Sequence, residues 1–304
     1  MSSVIPQWVK NAPRQTGKLA ILTGASAGLG YQTALFLAER GATVVLATRS
    51  EQKTKETIIK MLSDCADIKR EQLVHIKLDL GLRSSIRKFV DDFNASGLVA
   101  KHGGLHILVN NAGGWYPKST TADGLDYTLA ANSLGPFLLT NLLLRTALAP
   151  PNTPTSVPVR IVNVSSELHK YSRSSNIQSM KPSDDVGYPW SKAYNISFAR
   201  HLAKRLGDDG RTNITAYSLH PGVVRSEFQR DMFVLLRKVV QFFAVSPSDG
   251  AKTQFHLAVA PGVEKDNGQF FQNCAVHKVL GWAANESVDE AVWAASVRWT
   301  QLDD

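Results

Sequence analysis

Tyr188 and Lys192 are separated by one helical turn in the segment VGYPWSKAYN, residues 186–195. A phenol has a pKa near 10, and a cation one turn away stabilises the phenolate and lowers that pKa. Such a pair can exchange a proton with a substrate oxygen as a general acid or base. Pro189 is tolerated in the first turn of a helix, so we predict that the helix begins within about four residues before it. Taken alone, the pair is also typical of an ordinary helix surface.

A glycine-rich turn, TGASAGLG at residues 23–30, lies between an apolar strand-like run and a helical pattern. Glycines allow a tight turn and the close approach of a pyrophosphate, while the helix N-terminus offers unpaired N–H groups. A tight structural turn is the plainer reading, but the strand–turn–helix context favours a dinucleotide. The residues predicted to contact it here are Gly24, Ser26, Gly28, Leu29 and Gly30.

The end of the second predicted strand indicates which dinucleotide this is. Binders of NAD usually have an acid at this place, to accept a hydrogen bond from the ribose 2′-hydroxyl. This chain has Thr48 and Arg49 instead, and a guanidinium beside a hydroxyl suits a 2′-phosphate. We therefore predict NADP(H), with Asp79 and Leu80, at the end of the third strand, beside the adenine. A surface arginine with no ligand is the alternative.

The elements that must position these residues alternate along the chain. Continuous apolar strands separated by helical patterns indicate a parallel sheet covered on both faces. The fold class predicted is α/β, a Rossmann-type doubly wound parallel sheet in a single domain spanning residues 1–304, with its core at about 18–265. The six predicted strands lie within residues 19–25, 42–50, 73–80, 105–113, 160–166 and 212–222. A final helix is predicted at about 287–302, opened by a capping box from Ser287 to Glu290.

Composition limits the other function classes. The 304 residues carry a net charge of +8, but the basic residues are spread out, so we expect no nucleic-acid partner. The two cysteines form no CxxC pair, and no His/Cys cluster has zinc-ligand spacing, so no metal is predicted. No apolar signal core opens the chain, and no run reaches the ~20 apolar residues of a membrane span. A reducing, cytoplasmic location is the expectation.

Taken together, these motifs resemble those of the short-chain dehydrogenases/reductases, over nearly the whole chain. TGASAGLG is similar to the family's TGxxxGxG turn, residues 110–113 (NNAG) to its strand motif, and Tyr188-x-x-x-Lys192 to its catalytic pair. His220-Pro221-Gly222 is similar to the PG turn near the nicotinamide, with Ser226 where a threonine is common. These motifs occur in the family's order on the expected elements.

The resemblance implies a set of catalytic residues: Asn132, Ser166, Tyr188 and Lys192. Tyr188 would be the general acid/base, Lys192 would also hold the nicotinamide ribose, and Asn132 would hold a water that relays protons. Ser165 and Ser166 must face opposite sides of a strand, and the family pattern favours Ser166 while leaving Ser165 open. The resemblance adds further cofactor contacts, namely Asn111, Ala112, Gly113, Pro221, Gly222, Val224 and Ser226.

Finer features resemble the retinol dehydrogenase-like and WW-domain-oxidoreductase-like branch. TADGLDYTLAANSLGPFLLTNLLL and GQFFQNC are similar to its TxDGxE…NxLGxFLLTxLLL and G-x-x-F-x-x-C segments. Ser133 and Pro136 replace the branch's usual histidines, and its membrane-spanning N-terminus and WW modules have no counterpart. Residues 227–248 are interpreted as a lid over a lipophilic substrate, with a membrane-surface helix or a helix packed on the core left as alternatives.

The function predicted from the sequence is an NADP(H)-dependent oxidoreductase that interconverts a carbonyl and an alcohol on a lipophilic small molecule. The first alternative is a non-catalytic dinucleotide-binding regulator or scaffold. An epimerase or dehydratase of nucleotide sugars is disfavoured, because those enzymes resemble TGxxGxxG rather than TGxxxGxG. Peripheral contact with a membrane and assembly into a homo-oligomer remain open.

Overall fold

An eight-stranded sheet forms the centre of the computed structural model. The structure describes residues 5–148, 158–172, 177, 179–222 and 245–302. Seven strands are parallel in the order β3-β2-β1-β4-β5-β6-β7, and β8 closes the edge antiparallel to β7. The strands are β1 Leu19–Thr23, β2 Thr43–Thr48, β3 Leu73–Lys77, β4 Ile107–Asn110, β5 Val159–Val164, β6 Ile214–His220, β7 Phe270–Gln272 and β8 Ala275–Val276.

Helices cover both faces of this sheet, as the unbroken apolar strands predict. The first eight are α1 Gln7–Lys10, α2 Gly28–Glu39, α3 Glu51–Asp64, α4 Arg83–Ala95, α5 Leu98–His102, α6 Tyr127–Leu129, α7 Gly135–Thr146 and α8 Gly187–Asp208. A π-turn, Ala130–Leu134, joins α6 to α7, and two more helices, Pro247–Val259 and Asp289–Thr300, follow β6.

Strand alternation divides the apolar residues into two cores. Leu19 and Ile21 of β1 enter the core shared with α4, α7, α8 and the C-terminal helix. Ala20 and Leu22 enter the other core, with α2, α3 and the helix Pro247–Val259. The doubly wound, single-domain α/β fold predicted from the sequence is therefore confirmed.

The strand order places the functional residues. It reverses between β1 and β4, and in open α/β sheets the crevice beyond the carboxyl ends at such a reversal binds ligands. The glycine turn after β1, the NNAG segment after β4 and the serines after β5 all leave the sheet at this edge. The same edge therefore collects every predicted motif that lies in the described residues.

Two details differ from the expectations. The sheet extends past residue 265, because β7 and β8 fall within the GQFFQNC segment, whose three-residue strand is too short for a periodicity signal. The C-terminal helix begins at Asp289, and Val288 precedes it without a side-chain cap. Ser287 instead donates to Asn285 Oδ1 at 2.8 Å in a 3₁₀ turn, so the predicted capping box is wrong.

None of the described helices is both long enough and apolar enough to cross a membrane.

Candidate active site

Tyr188 and Lys192 lie in the first turns of α8, which starts at Gly187 with a positive φ of 68°. The helix begins two residues before Pro189, as the missing proline N–H predicts. Both side chains are buried, with 8% of Tyr188 and 2% of Lys192 exposed. The ammonium nitrogen of Lys192 lies 5.4 Å from the centre of the Tyr188 ring. This burial is inconsistent with an ordinary helix surface.

The two serines after β5 face opposite ways. Ser166 hydrogen-bonds the hydroxyl of Tyr188 and also accepts a bond from the Leu168 N–H at 3.2 Å. Ser165 donates to the backbone carbonyl of Lys192 at 2.6 Å and is fully buried. Ser166 is therefore the serine beside Tyr188, while Ser165 anchors α8 to the sheet.

Asn132 lies in the π-turn Ala130–Leu134 that joins α6 to α7. π-turns inside helices occur frequently at functional sites. The Asn132 amide clamps Gly114, accepting from its N–H and donating to its carbonyl, both at 2.9 Å, and it also donates to Ser191 Oγ at 3.0 Å. These contacts make Asn132 the support of the segment after β4; the water relay stays a prediction.

Gly113 leaves open the space between Asn132 and Lys192. A Cβ placed on Gly113 would lie 3.0 Å from both Asn132 Oδ1 and Lys192 Nζ. Glycine thus keeps this space open, and the gap is lined by an amide oxygen and an ammonium group. Such a gap suits hydroxyl groups that both accept and donate hydrogen bonds.

Burial controls the electrostatics of the pair. It lowers the pKa of Lys192 from its ordinary 10.5 to about 7. Burial also raises the pKa of Tyr188, and the Ser166 hydrogen bond offsets this only in part. The sequence predicted a lowered tyrosine pKa from the neighbouring cation, but in the protein without ligand desolvation is the larger effect. Tyr188 is therefore a phenol at neutral pH.

The glycine turn has the shape of a phosphate-binding turn. Gly24 and Gly28 have φ of 69° and 55°, a region in which other residues are strained. A Cβ on Gly30 would lie 2.6 Å from Asn111 Nδ2, so the helix packs directly against the NNAG segment. Ala27 precedes α2, and its methyl side chain cannot cap the helix, which leaves the first N–H groups to a ligand. Ser26 and Leu29 lie partly exposed on the same turn.

Thr23 and Asn111 brace this turn from below. Thr23 Oγ1 accepts the N–H groups of Asn111 and Ala112, each at 3.0 Å. Asn111 Nδ2 donates back to the Thr23 carbonyl at 2.9 Å. The side chain of Asn111 therefore fixes the relative position of the two loops, which leaves its neighbours Ala112 and Gly113 to meet a ligand through their backbone.

At the far end of the crevice Arg49 and Thr48 behave differently. Arg49 is exposed and donates to the Tyr127 hydroxyl at 2.6 Å. Thr48 is buried, and its hydroxyl bonds that of Thr54 inside the protein, so its predicted contact with a 2′-phosphate is not available. Asp79 accepts from the Gly81 N–H at 2.9 Å, which fixes its carboxylate beside the Tyr127 ring.

The structure describes only some of the remaining residues that were predicted to contact the cofactor or the substrate. Leu80 is buried directly behind Asp79. Pro221 and Gly222 follow β6 at the same edge, and Gly222 has a φ of 86°. Val224, Ser226 and nearly all of the predicted lid, residues 227–244, lie outside the described residues.

The sequence did not identify two residues of this site. Trp115 stacks on the Tyr188 ring, with ring centres 5.4 Å apart and planes 15° apart. His169 is buried, donates through Nδ1 to the Ser166 carbonyl at 2.8 Å and accepts the Leu280 N–H at Nε2 at 3.1 Å. Burial lowers the pKa of His169, so it acts as a neutral brace for Ser166. Neither residue belongs to a spacing motif, so only the tertiary contacts identify them.

These residues fit a nicotinamide dinucleotide. The uncapped helix and glycine turn suit a pyrophosphate. Lys192 Nζ donates to the Val164 carbonyl at 3.0 Å, the single hydrogen bond of this ammonium among the described residues, so two further donors remain for a ribose diol. A doubly wound sheet with these groups at one edge defines the class of dinucleotide-dependent oxidoreductases.

Comparison with known proteins agrees with this class. The family model for short chain dehydrogenase matches residues 18–234. Retinol dehydrogenase 12 from Homo sapiens is 39% identical over 294 residues, covering 93% of this chain and 88% of that protein. Retinol dehydrogenase 14 from Mus musculus is 35% identical, covering 92% and 85%. The chain therefore belongs to the short-chain dehydrogenase family, and the predicted resemblance to retinol dehydrogenases is confirmed.

Solved structures show the same fold. A protein from Mycobacterium Paratuberculosis superposes with a TM-score of 0.72 at 27% identity, covering 96% of this chain and 97% of that one. The angucycline C-6 ketoreductase LanV, solved with bound NADP, gives a TM-score of 0.64 at 24% identity, covering 85% and 95%. At the latter identity the likeness shows the fold alone.

Proposed function

We propose that this protein is an NADP(H)-dependent oxidoreductase that interconverts a carbonyl and an alcohol on a lipophilic small molecule. The observation that carries the proposal is the buried Lys192 ammonium, which has spare donors and lies beside the Tyr188–Ser166 pair. Burying a cation without a carboxylate partner costs stability. The position of Lys192 at the crevice indicates that its charge serves the reaction.

The protein's own groups supply the proton chemistry. The nicotinamide, when bound, supplies or accepts the hydride. In the reducing direction Tyr188 Oη donates its proton to the carbonyl oxygen as that oxygen gains negative charge, and Ser166 Oγ donates a hydrogen bond to the same oxygen. Lys192, in its protonated form, stabilises the phenolate left on Tyr188. Once the alcohol has formed, solvent returns the proton to Tyr188.

Arg49 supports the choice of NADP(H). Its guanidinium is exposed at the end of β2, the position where a ribose 2′-substituent is recognised. Tyr127 holds it through a neutral hydroxyl acceptor, which an anionic phosphate can replace by stronger hydrogen bonds. No acid competes for the ribose hydroxyl at this position, since residues 48–50 read Thr-Arg-Ser.

The substrate class rests on the relatives and on the chemistry of the crevice. Two relatives of this chain are named retinol dehydrogenases, and the partly exposed indole of Trp115 stacks on Tyr188. An apolar wall beside the proton donor favours substrates whose carbonyl is attached to an apolar group. A cytoplasmic location with surface contact to a membrane accords with this substrate class and remains part of the proposal.

Thermal stabilisation with NADPH and NADH, measured side by side, tests the cofactor. A ligand of the folded state adds RT ln(1 + [L]/Kd), which is about 2.7 kcal/mol at one hundred times Kd. We expect the larger thermal shift with NADPH. We also expect NADPH to be oxidised in the presence of apolar aldehydes, at a rate that Tyr188→Phe strongly lowers. A larger shift with NADH would refute the cofactor assignment. Binding without turnover of any carbonyl would instead favour a dinucleotide-binding regulator.

A further inference from the structure

Trp115 has no place in the family motifs, yet its indole lies flat against the proposed proton donor. Its plane is inclined by only 15° to that of Tyr188, with ring centres 5.4 Å apart. Nevertheless 49% of Trp115 is exposed, which is unusual for a large apolar side chain. Because one face is covered by Tyr188, the exposed surface belongs mainly to the opposite face and the edges of the indole.

The backbone holds this indole in place. Trp115 directly follows Gly114, whose N–H and carbonyl are both bound by the Asn132 amide at 2.9 Å. A Cβ on Gly114 would lie 3.0 Å from the Tyr116 ring, so glycine allows the Tyr116 ring to pack closely against the backbone here. Tyr116 packs edge-on against Tyr127, with ring centres 4.9 Å apart. These contacts hold the backbone on both sides of Trp115, whose indole stacks on Tyr188.

This geometry restricts what can lie next to a reacting carbonyl. The carbonyl oxygen must reach both Tyr188 Oη and Ser166 Oγ, which hydrogen-bond each other. The group attached to that carbonyl must then lie close to the Tyr188 ring, on which the indole of Trp115 is stacked. A flat group gains an aromatic stack on the free indole face, whereas a puckered saturated ring of the same size cannot approach it as closely.

We propose that Trp115 is a substrate-recognition residue that selects carbonyls conjugated to a planar aromatic or polyene group. The inference rests on the proposed function, since it names the substrate class of the same site. Trp115 contacts the substrate without taking part in proton or hydride transfer. Its loss therefore weakens the binding of planar substrates selectively and leaves the chemistry of Tyr188 in place.

A pair of substrates with the same carbon skeleton tests this role. We would measure kcat/KM with NADPH for 2-naphthaldehyde and for its saturated counterpart, decahydronaphthalene-2-carbaldehyde. The variants are Trp115→Ala, which removes the stack, and Trp115→Phe, which keeps an aromatic face. Each variant is compared with the wild type on the same aldehyde, so differences in intrinsic reactivity cancel.

We expect Trp115→Ala to lower kcat/KM for the planar aldehyde by about 2- to 12-fold more than for the saturated one, mainly through KM. Trp115→Phe should recover most of this difference, and the thermal shift with NADPH should be unchanged in both variants. Equal losses for the two aldehydes, or none for either, would overturn the proposal.

Calorimetry on the same aldehyde pair separates this inference from the proposed function. If the wild type turned over neither aldehyde, the proposed activity would be wrong for these substrates, while the binding ratio of planar to saturated aldehyde would still decide the role of Trp115. A ratio that Trp115→Ala leaves unchanged would reject it.

Discussion

Lys192→Met should make the protein without ligand more stable while it removes activity. The ammonium group of Lys192 is buried with no carboxylate partner among the described residues, and burial lowers its pKa from 10.5 to about 7. In the unfolded chain the same lysine titrates at its ordinary value. Below pH 7 the folded state must therefore hold a charge that water would solvate better.

The size and sign of the effect follow from proton linkage. Between the two pKa values the unfolded chain binds more protons than the folded protein, so wild-type stability rises with pH there. The cost of the buried charge is complete below pH 7, about 4–5 kcal/mol from the displacement of the pKa, and is lost as the pH approaches 10.5. The Val164 carbonyl remains paired in the variant, because Asn195 Nδ2 also donates to it at 3.1 Å. Methionine thus removes the charge without leaving an unpaired acceptor.

Urea unfolding from pH 6 to pH 9.5 would measure this difference. We expect Lys192→Met to exceed the wild type by several kcal/mol near pH 6, and the excess to shrink by about 1.4 kcal/mol per pH unit above pH 7. Lys88→Met serves as the matched control, because Lys88 is exposed and paired only with Asp92 on the helix surface, and it should show no such trend. A destabilised Lys192→Met at every pH, or a difference independent of pH, would refute the reasoning.

Three further predictions concern turnover, cofactor choice and the glycine turn. Tyr188→Phe should lower kcat by about 10²–10⁴-fold while the thermal shift with NADPH persists; turnover close to wild type would exclude Tyr188 as the acid. Arg49→Glu should weaken NADPH binding by about 10- to 100-fold and leave NADH binding within a few-fold, as measured by calorimetry; equal losses for both cofactors would count against a 2′-phosphate contact. Gly30→Ala should lower the free energy of unfolding by about 1–3 kcal/mol in urea, because its Cβ would lie 2.6 Å from Asn111 Nδ2, whereas Gly207→Ala, with open space around it, should not.

Local pattern and spacing predicted most of the sheet and the central part of the site. The runs around Ile21 and Val45 are apolar without interruption, which indicates strands buried on both faces. In the structure, alternate residues of these strands enter the two cores. Strand alternation predicted that Ser165 and Ser166 diverge. Pro189 located the start of α8 within its first turn. Each of these inferences depends on residues close together in the chain.

The remaining features of the fold and of the site depend on contacts between residues that are far apart in the sequence. β7 has three residues and forms only because β6 offers an open edge. Arg49 and its partner Tyr127 are 78 residues apart, and nothing near either residue indicates the other. The prediction of a lowered pKa for Tyr188 was wrong for a related reason. Spacing shows that a cation is near, but only packing shows how completely Tyr188 and Lys192 are removed from water.

The burial of Tyr188 and Lys192 also bears on the direction of the proposed reaction. Burial favours the neutral form of both groups, so Tyr188 is held as a phenol that can donate a proton but cannot accept one. Reduction of a carbonyl begins from this form, whereas oxidation of an alcohol first requires the phenol to be deprotonated. An enzyme cannot change the overall equilibrium, but it can populate the protonation state from which one direction starts. Reduction can therefore start directly from the protonation state that burial favours, which agrees with the NADPH preference proposed from Arg49.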